Sequence, residues 1–229
     1  LDAEGEYSIV AESLGGINVV LSPNSKTVIN VFDIETEVVK DEITGRERAV
    51  LNVENKVEDV TQALLTMARG STRSQDINEV IAESVAQEYA AYGITSDPMS
   101  LYEAAGRGNG DILGRARKKM PTIGSWYKRL QRNAESNTNP DYRFHYSYLL
   151  KVMKQYIREY DGQMAYFDGQ STFDLLDGTL FINLDISQLE ERFARPLAQQ
   201  ILLSWIWEKY VKKNSEDRRK AAKKRVLVD

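Results

Sequence analysis

The chain has 229 residues, 42% of them hydrophobic and 9% aromatic, with a net charge of −4; this is the profile of a chain with a core, not of a disordered segment. So small a charge gives no global pull toward nucleic acid, and the lack of cysteine excludes a disulfide framework or a thiolate zinc site and fits a reducing compartment. The lone His145 cannot build a histidine metal centre, and no apolar run reaches the roughly 20 residues of a membrane span.

In chain order, residues 5–14 predict a short helix, with Tyr7, Val10, Ala11 and Leu14 on one face and Gly15-Gly16 ending it. "INVVLS" (17–22) and "TVINVFDI" (27–34) are β-rich runs joined by the turn "PNSK". Residues 35–54 are charged and irregular and read as a linker or an exposed hairpin around Thr44-Gly45. From Asn55 the period changes to that of helices. The spacing predicts helices over 57–68 (Val57, Val60, Ala63, Leu64, Met67) and over 74–93 (Ile77, Val80, Ile81, Val85, Tyr89). A short capped helix follows over 96–105, then a Gly- and Arg-rich loop over 106–121. Further helices are predicted over 122–136 and 139–160, the latter opened by Asn139 with Pro140 at its first position. The aromatic residues Tyr142, Phe144, Tyr146, Tyr148 and Tyr156, with Trp126 and Tyr127, suit core packing or, alternatively, stacking on single-stranded bases.

After this bundle the texture reverts. "GTLFINLD" (178–185) is a continuous apolar run ending in Asp185, as expected of a strand buried on both faces. A long helix is expected over 187–213, with Leu197, Ile201, Ser204, Trp205 and Glu208 at helical spacing, and "RVLVD" (225–229) is a final strand. Strand, helix, strand is a βαβ unit and predicts a parallel sheet. The expected class is therefore α/β with a large all-α insertion: residues 1–54 as the first α/β part, 55–166 as the insertion and 167–229 as the second α/β part.

An apolar strand ending in Asp delivers a carboxylate to the C-terminal edge of a parallel sheet, where ligands collect and where Mg²⁺ can be held. Asp2, Asp185 and Asp229 all stand at such positions, although a strand followed by an acidic turn has the same pattern. The phosphate-cradling motif GxxxxGK(S/T) is absent from these residues, and "GRGNGDILGRARKK" (106–119) has the wrong spacing and follows no strand. The basic residues Arg115, Arg117, Lys118 and Lys119 read either as a solvated turn or as contacts to DNA phosphates or acidic lipid headgroups, and Lys128, Arg129, Arg132 and the run from Arg218 to Lys224 carry the same two readings.

"LDAEGEY" followed by "LGGINVVLSPNSKTVINVFDI" resembles the segment just after the P-loop in VirB-type conjugative transfer ATPases of type IV secretion systems, within the FtsK/HerA group of P-loop motors. The family pattern has proline where this chain has Ala3 and Val31. "FDGQSTFDLLDGTLFINLDISQL" and "KKRVLVD" resemble the family's later region and its Walker B strand. The resemblance implies a partial RecA-like parallel sheet, ATP and Mg²⁺ as cofactors of a larger parent, and hexameric self-association. It further implies work beside other secretion components at the inner face of the bacterial cell membrane, with DNA as a further candidate partner. By it, Asp229 would be the Mg²⁺-associated carboxylate, Glu6 would polarise the attacking water, and Asp2 would line the same edge. The chain then reads as an internal piece that starts after the phosphate cradle, for which weak nucleotide binding and no turnover are expected. Two other functions remain open: a helical docking module of the secretion machine, and a DNA translocase or helicase outside conjugation.

Overall fold

The computed structural model describes residues 1–23, 25–40, 43–68, 75–104, 115–172 and 181–212. Helix α1 (Ser8–Ser13) leads into strand β1 (Ile17–Val20), which pairs in parallel with strand β4 (Ile182–Asp185) from Ile17↔Ile182 to Val20↔Asp185. On the other side of β4, Asp2 bridges Asp185 in parallel: its N–H donates to the Leu184 carbonyl (2.9 Å) and its carbonyl accepts from Ile186 N–H (2.9 Å). Thus β4 lies between two parallel neighbours, which explains why "INLD" is mostly buried. The strand expected over 225–229 lies outside the described residues. Gly16 permits a close approach at this sheet, since a Cβ there would stand 2.4 Å from the Phe181 carbonyl oxygen and 2.9 Å from that of Ala11.

The run 27–34, expected as a strand, is not one. It is buried from Val28 to Glu35 but irregular, because its partners are loop atoms instead of a ladder. Val28 N–H donates to Thr172 Oγ1 (2.9 Å), Asn30 N–H to Ser171 Oγ (2.9 Å) and Ile29 N–H to the Tyr166 carbonyl (3.3 Å). Asn30 adds a local turn: its Oδ1 accepts Phe32 N–H (3.1 Å), and its Nδ2 donates to the Pro121 carbonyl (2.8 Å). This buried strap fastens the sheet to the helices. The charged stretch after it forms an exposed hairpin, β2 (Glu37–Lys40) against β3 (Glu47–Val50), with Gly45 at φ 67° in its turn.

The helical part contains α2 (Val53–Met67), α3 (Gln75–Ala91), α4 (Ile123–Ser136) and α5 (Pro140–Met153). Asn52 caps α2 by accepting from Asn55 N–H (3.1 Å), and Thr122 and Ser125 form a capping box on α4. The short capped helix expected near 96–105 is a single 3₁₀ turn, Pro98–Leu101, capped by Asp97. Helix α5 stops at Met153 rather than reaching 160. Asp168 takes the Arg158 N–H (2.9 Å) and the Gly124 N–H (2.7 Å), so the chain folds into short turns around that carboxylate. Most of the aromatic residues do core duty. Trp126, Tyr127, Tyr146 and Tyr156 are buried, while Phe144 is exposed. The hydroxyls of Tyr148 and Tyr156 donate to the carbonyls of Ala68 (2.6 Å) and Met67 (3.0 Å), satisfying acceptors at the C-terminus of α2. A single cluster of buried apolar side chains, from Leu21 to Ile206, runs through the strands, the strap and the helices.

Helix α6 (Ala194–Ile206) begins later than expected. The Glu190 carboxylate accepts N–H bonds from Arg192 (2.9 Å), Phe193 (2.9 Å) and Ala194 (3.3 Å), and these hold the preceding residues in turns. At its far end the helix widens into a π-helical turn, Trp207–Lys212. That turn carries the cations and acid that meet the strap. Trp205 Nε1 (3.0 Å) and Ser171 Oγ (2.6 Å) donate to Asp33, while Lys209 pairs with Glu35 (3.0 Å) and lies 3.7 Å from Asp33. Arg117 pairs with the other oxygen of the Glu35 carboxylate (2.6 Å), and Glu208 accepts Glu35 N–H (3.1 Å) while pairing with Lys212 (2.6 Å).

Two substitutions test these junctions. Gly16→Ala is expected to lower stability by about 1–3 kcal/mol, because backbone rather than a flexible side chain must yield. It would be read as a lower urea midpoint with an unchanged denaturant slope. Lys209→Met removes a cation from buried Asp33 and Glu35 and should cost about 3–5 kcal/mol in the same measurement.

Candidate functional site

The C-terminal edge of β4 is where a parallel sheet presents its ligand-facing groups. Here the chain from Asp2 to Tyr7 turns tightly around the Asp2 carboxylate. Oδ1 accepts N–H bonds from Gly5 (2.7 Å) and Glu6 (3.1 Å), and Oδ2 accepts from Tyr7 N–H (3.0 Å) and from Asn183 Nδ2 (2.9 Å). Asn183 is fixed in turn by donating to Asn18 Oδ1 (3.0 Å), which ties the turn to both strands of the pair. Gly5 sits at φ 78°, and a Cβ on it would stand 2.8 Å from Ser187 Oγ, so this position requires glycine both for conformation and for space. Asp185 closes the edge, its Oδ1 accepting Ser187 N–H (2.9 Å).

Burial of the Asp2 carboxyl pushes its pKa up. The hydrogen bonds from Asn183 and from the Tyr7, Gly5 and Glu6 amides outweigh that and hold it below the ordinary carboxylate value. With four donors on its two oxygens, Asp2 is the clamp of the turn rather than an open ligand of the edge. Glu6 is presented differently. Its amide is fixed by Asp2, while its side chain is exposed. Asp2, expected to line the edge as a ligand, is instead consumed in the turn that positions the Glu6 amide, and Asp229 lies outside the described residues. Asn183 escaped sequence reading, although one amide within the apolar run "FINLD" is the kind of signal that marks a side chain serving a buried acceptor.

The basic residues divide. Arg117 is spent on Glu35 and on the Ile34 carbonyl, and Lys118 Nζ donates to the carbonyls of Tyr92 (3.3 Å) and Gly93 (3.4 Å). Lys119 is exposed, and Arg115 has a buried Nε with no hydrogen-bond partner. These four side chains do not form one open basic patch. Arg129 is likewise paired with buried Glu88. Among the described residues, no group of three or more His, Cys, Asp or Glu side chains could hold a metal ion, and no helix is long and apolar enough to cross a membrane.

Parallel strands with flanking helices and a large helical insertion define a partial RecA-like α/β fold. A solved structure with this fold is that of VirB4 of Thermoanaerobacter pseudethanolicus, similar at a TM-score of 0.64 and 18% sequence identity over 95% of this chain and 69% of that one. No family model and no curated protein matches the sequence.

The lowered Asp2 pKa fixes a pH dependence. A carboxyl whose native pKa lies below its unfolded value contributes stability that is complete above the unfolded value, about 4, and is lost as pH falls through the native value. At neutral pH, Asp2→Ala should therefore cost about 1–3 kcal/mol in urea unfolding. The gap from the unsubstituted chain should close as the solution is acidified below the ordinary carboxylate range.

Proposed function

We propose that these residues form part of the motor domain of a type IV secretion ATPase, with the Asp2–Tyr7 turn at its nucleotide edge. The observation that carries this reading is the position of the turn: it sits at the C-terminal edge of a parallel strand group, clamped by Asp2 and displaying Glu6, within a fold shared with a VirB4. As a protein related to the type IV secretion ATPases, it would hydrolyse ATP to power assembly of the transfer apparatus or export of DNA or protein.

In this mechanism the chain's own contribution is geometric. Asp2 holds the Glu6 amide, α1 starts just beyond it, and the Glu6 carboxylate is left free to accept a hydrogen bond from a water and to orient it for in-line attack. Mg²⁺, when bound with the nucleotide, neutralises charge on the phosphates, and Asp229 is the residue proposed to hold it. The proposal places the motor as a hexamer at the inner face of the bacterial cell membrane, among other secretion components. Of Arg115, Arg117, Lys118 and Lys119, the first and last are the ones whose charge is left for DNA phosphates or acidic lipids, since Arg117 and Lys118 are engaged within the fold.

The test is ATP turnover by the protein expressed from its complete reading frame. Glu6→Gln should lower the turnover number about 10²–10⁴-fold while leaving nucleotide affinity and thermal midpoint in place. Turnover close to that of the unsubstituted protein would overturn the assignment of Glu6.

A further inference from the structure

A cleft of about 150 Å³ opens between α2, α6 and the strap, away from the nucleotide edge. Lys56 lies at its floor. The residue is only 2% exposed, yet among the described residues its ammonium makes neither a hydrogen bond nor an ion pair. A buried cation without a partner is costly. Two of the three nearby acids are already engaged: Asp33 is held by Ser171, Trp205 and Lys209, and Glu208 by Lys212 and the Glu35 amide, while the third, Asp59, is exposed to solvent. Burial lowers the Lys56 pKa, opposed by the negative charges of Glu208, Asp59 and Asp33. The walls supply what a short acid needs. Gln62, Gln200 and Ser204 bear hydrogen-bonding groups, and Val31, Ile201 and Trp205 are apolar or aromatic. Asp59, on the rim, is exposed and carries a negative charge.

We infer that this cleft is a binding site for a single carboxylate on a short carbon stem, with Lys56 as its counter-ion. The rim charge of Asp59 sets the class, because it penalises a dianion such as phosphate more than a monoanion. The cleft has room for one small acid or for one acidic side chain of another protein, and both sources offer the same group to Lys56.

The test uses the intact protein and the reactivity of Lys56 itself. An amine-acylating ester is applied, and the rate of Lys56 modification is followed by peptide mass spectrometry. Butyrate should slow that modification about tenfold at saturation, with a midpoint in roughly the millimolar range suited to one charge-assisted contact. Butyramide, which lacks the charge, should not slow it. A capped peptide carrying one glutamate, compared with its glutamine counterpart, distinguishes the sources: protection by butyrate alone indicates a free acid, and stronger protection by the glutamate peptide indicates a protein partner. Asp59→Asn, a substitution at an exposed position, should shift the protection midpoint to lower butyrate. An unchanged Lys56 rate with every probe, or equal protection by butyramide, would overturn the inference.

Discussion

Asp33 and Glu35 lie on a buried strap that has no ladder to satisfy it, and two buried carboxylates cannot remain in such a place without donors. Every element that touches the strap is arranged to supply them. The π-helical turn brings Lys209, the extended residues near 117 bring Arg117, α6 brings the Trp205 indole, and the loop after Phe167 brings Ser171, while Glu208 of the same π turn accepts the Glu35 amide. Tyr89 of α3 donates to the Phe32 carbonyl (2.8 Å), so the helical insertion is attached through the same segment. The widening at Trp207–Lys212 has a clear use here. A π turn displaces the side chains that follow it, and it lets an acid and a cation from consecutive positions both reach the strap.

The Asp2 turn applies the same logic on a smaller scale. A buried carboxylate is stable when several donors converge on it, and three consecutive amides plus one asparagine provide them. The consequence for chemistry is a division of labour between two acids four residues apart. One is consumed in building the turn, and the other is held out from it on a fixed backbone.

Helices were the most legible part of the sequence. The apolar stripes of α2, α3 and α4 coincide with buried residues such as Val60, Leu64, Val80, Val85 and Trp126, and the spacing of Leu197, Ile201 and Trp205 marks the buried face of α6, continued by Glu208 in the π turn. Strand β4 was legible because an apolar run of that length must be covered on both sides. The strap misled because burial alone gives an apolar run, and "TVINVFDI" does not disclose that its partners are hydroxyls of Ser171 and Thr172 about 140 residues away. The ends of α5 and α6 misled for a related reason: the carboxylates of Asp168 and Glu190 capture amides that helical periodicity would have assigned to the helix. At the C-terminal edge of β4, Asp2 was marked by an apolar residue followed by Asp, and Glu6 only by resemblance to a family. Their different duties depend on where neighbouring amides point, which no spacing rule reports.

The bond from Asn183 to Asp2 spans 181 positions, and it has a bearing on how the molecule assembles. On a ribosome Asp2–Tyr7 leave the exit tunnel long before β4 is made, so this turn must wait, incomplete, while the helices from α2 to α5 follow it. Those helices make mostly near-neighbour contacts and can settle early. The turn around Asp2 is thus among the last regions to be completed, and a translation pause between the two parts would leave an organised bundle beside an unsealed sheet.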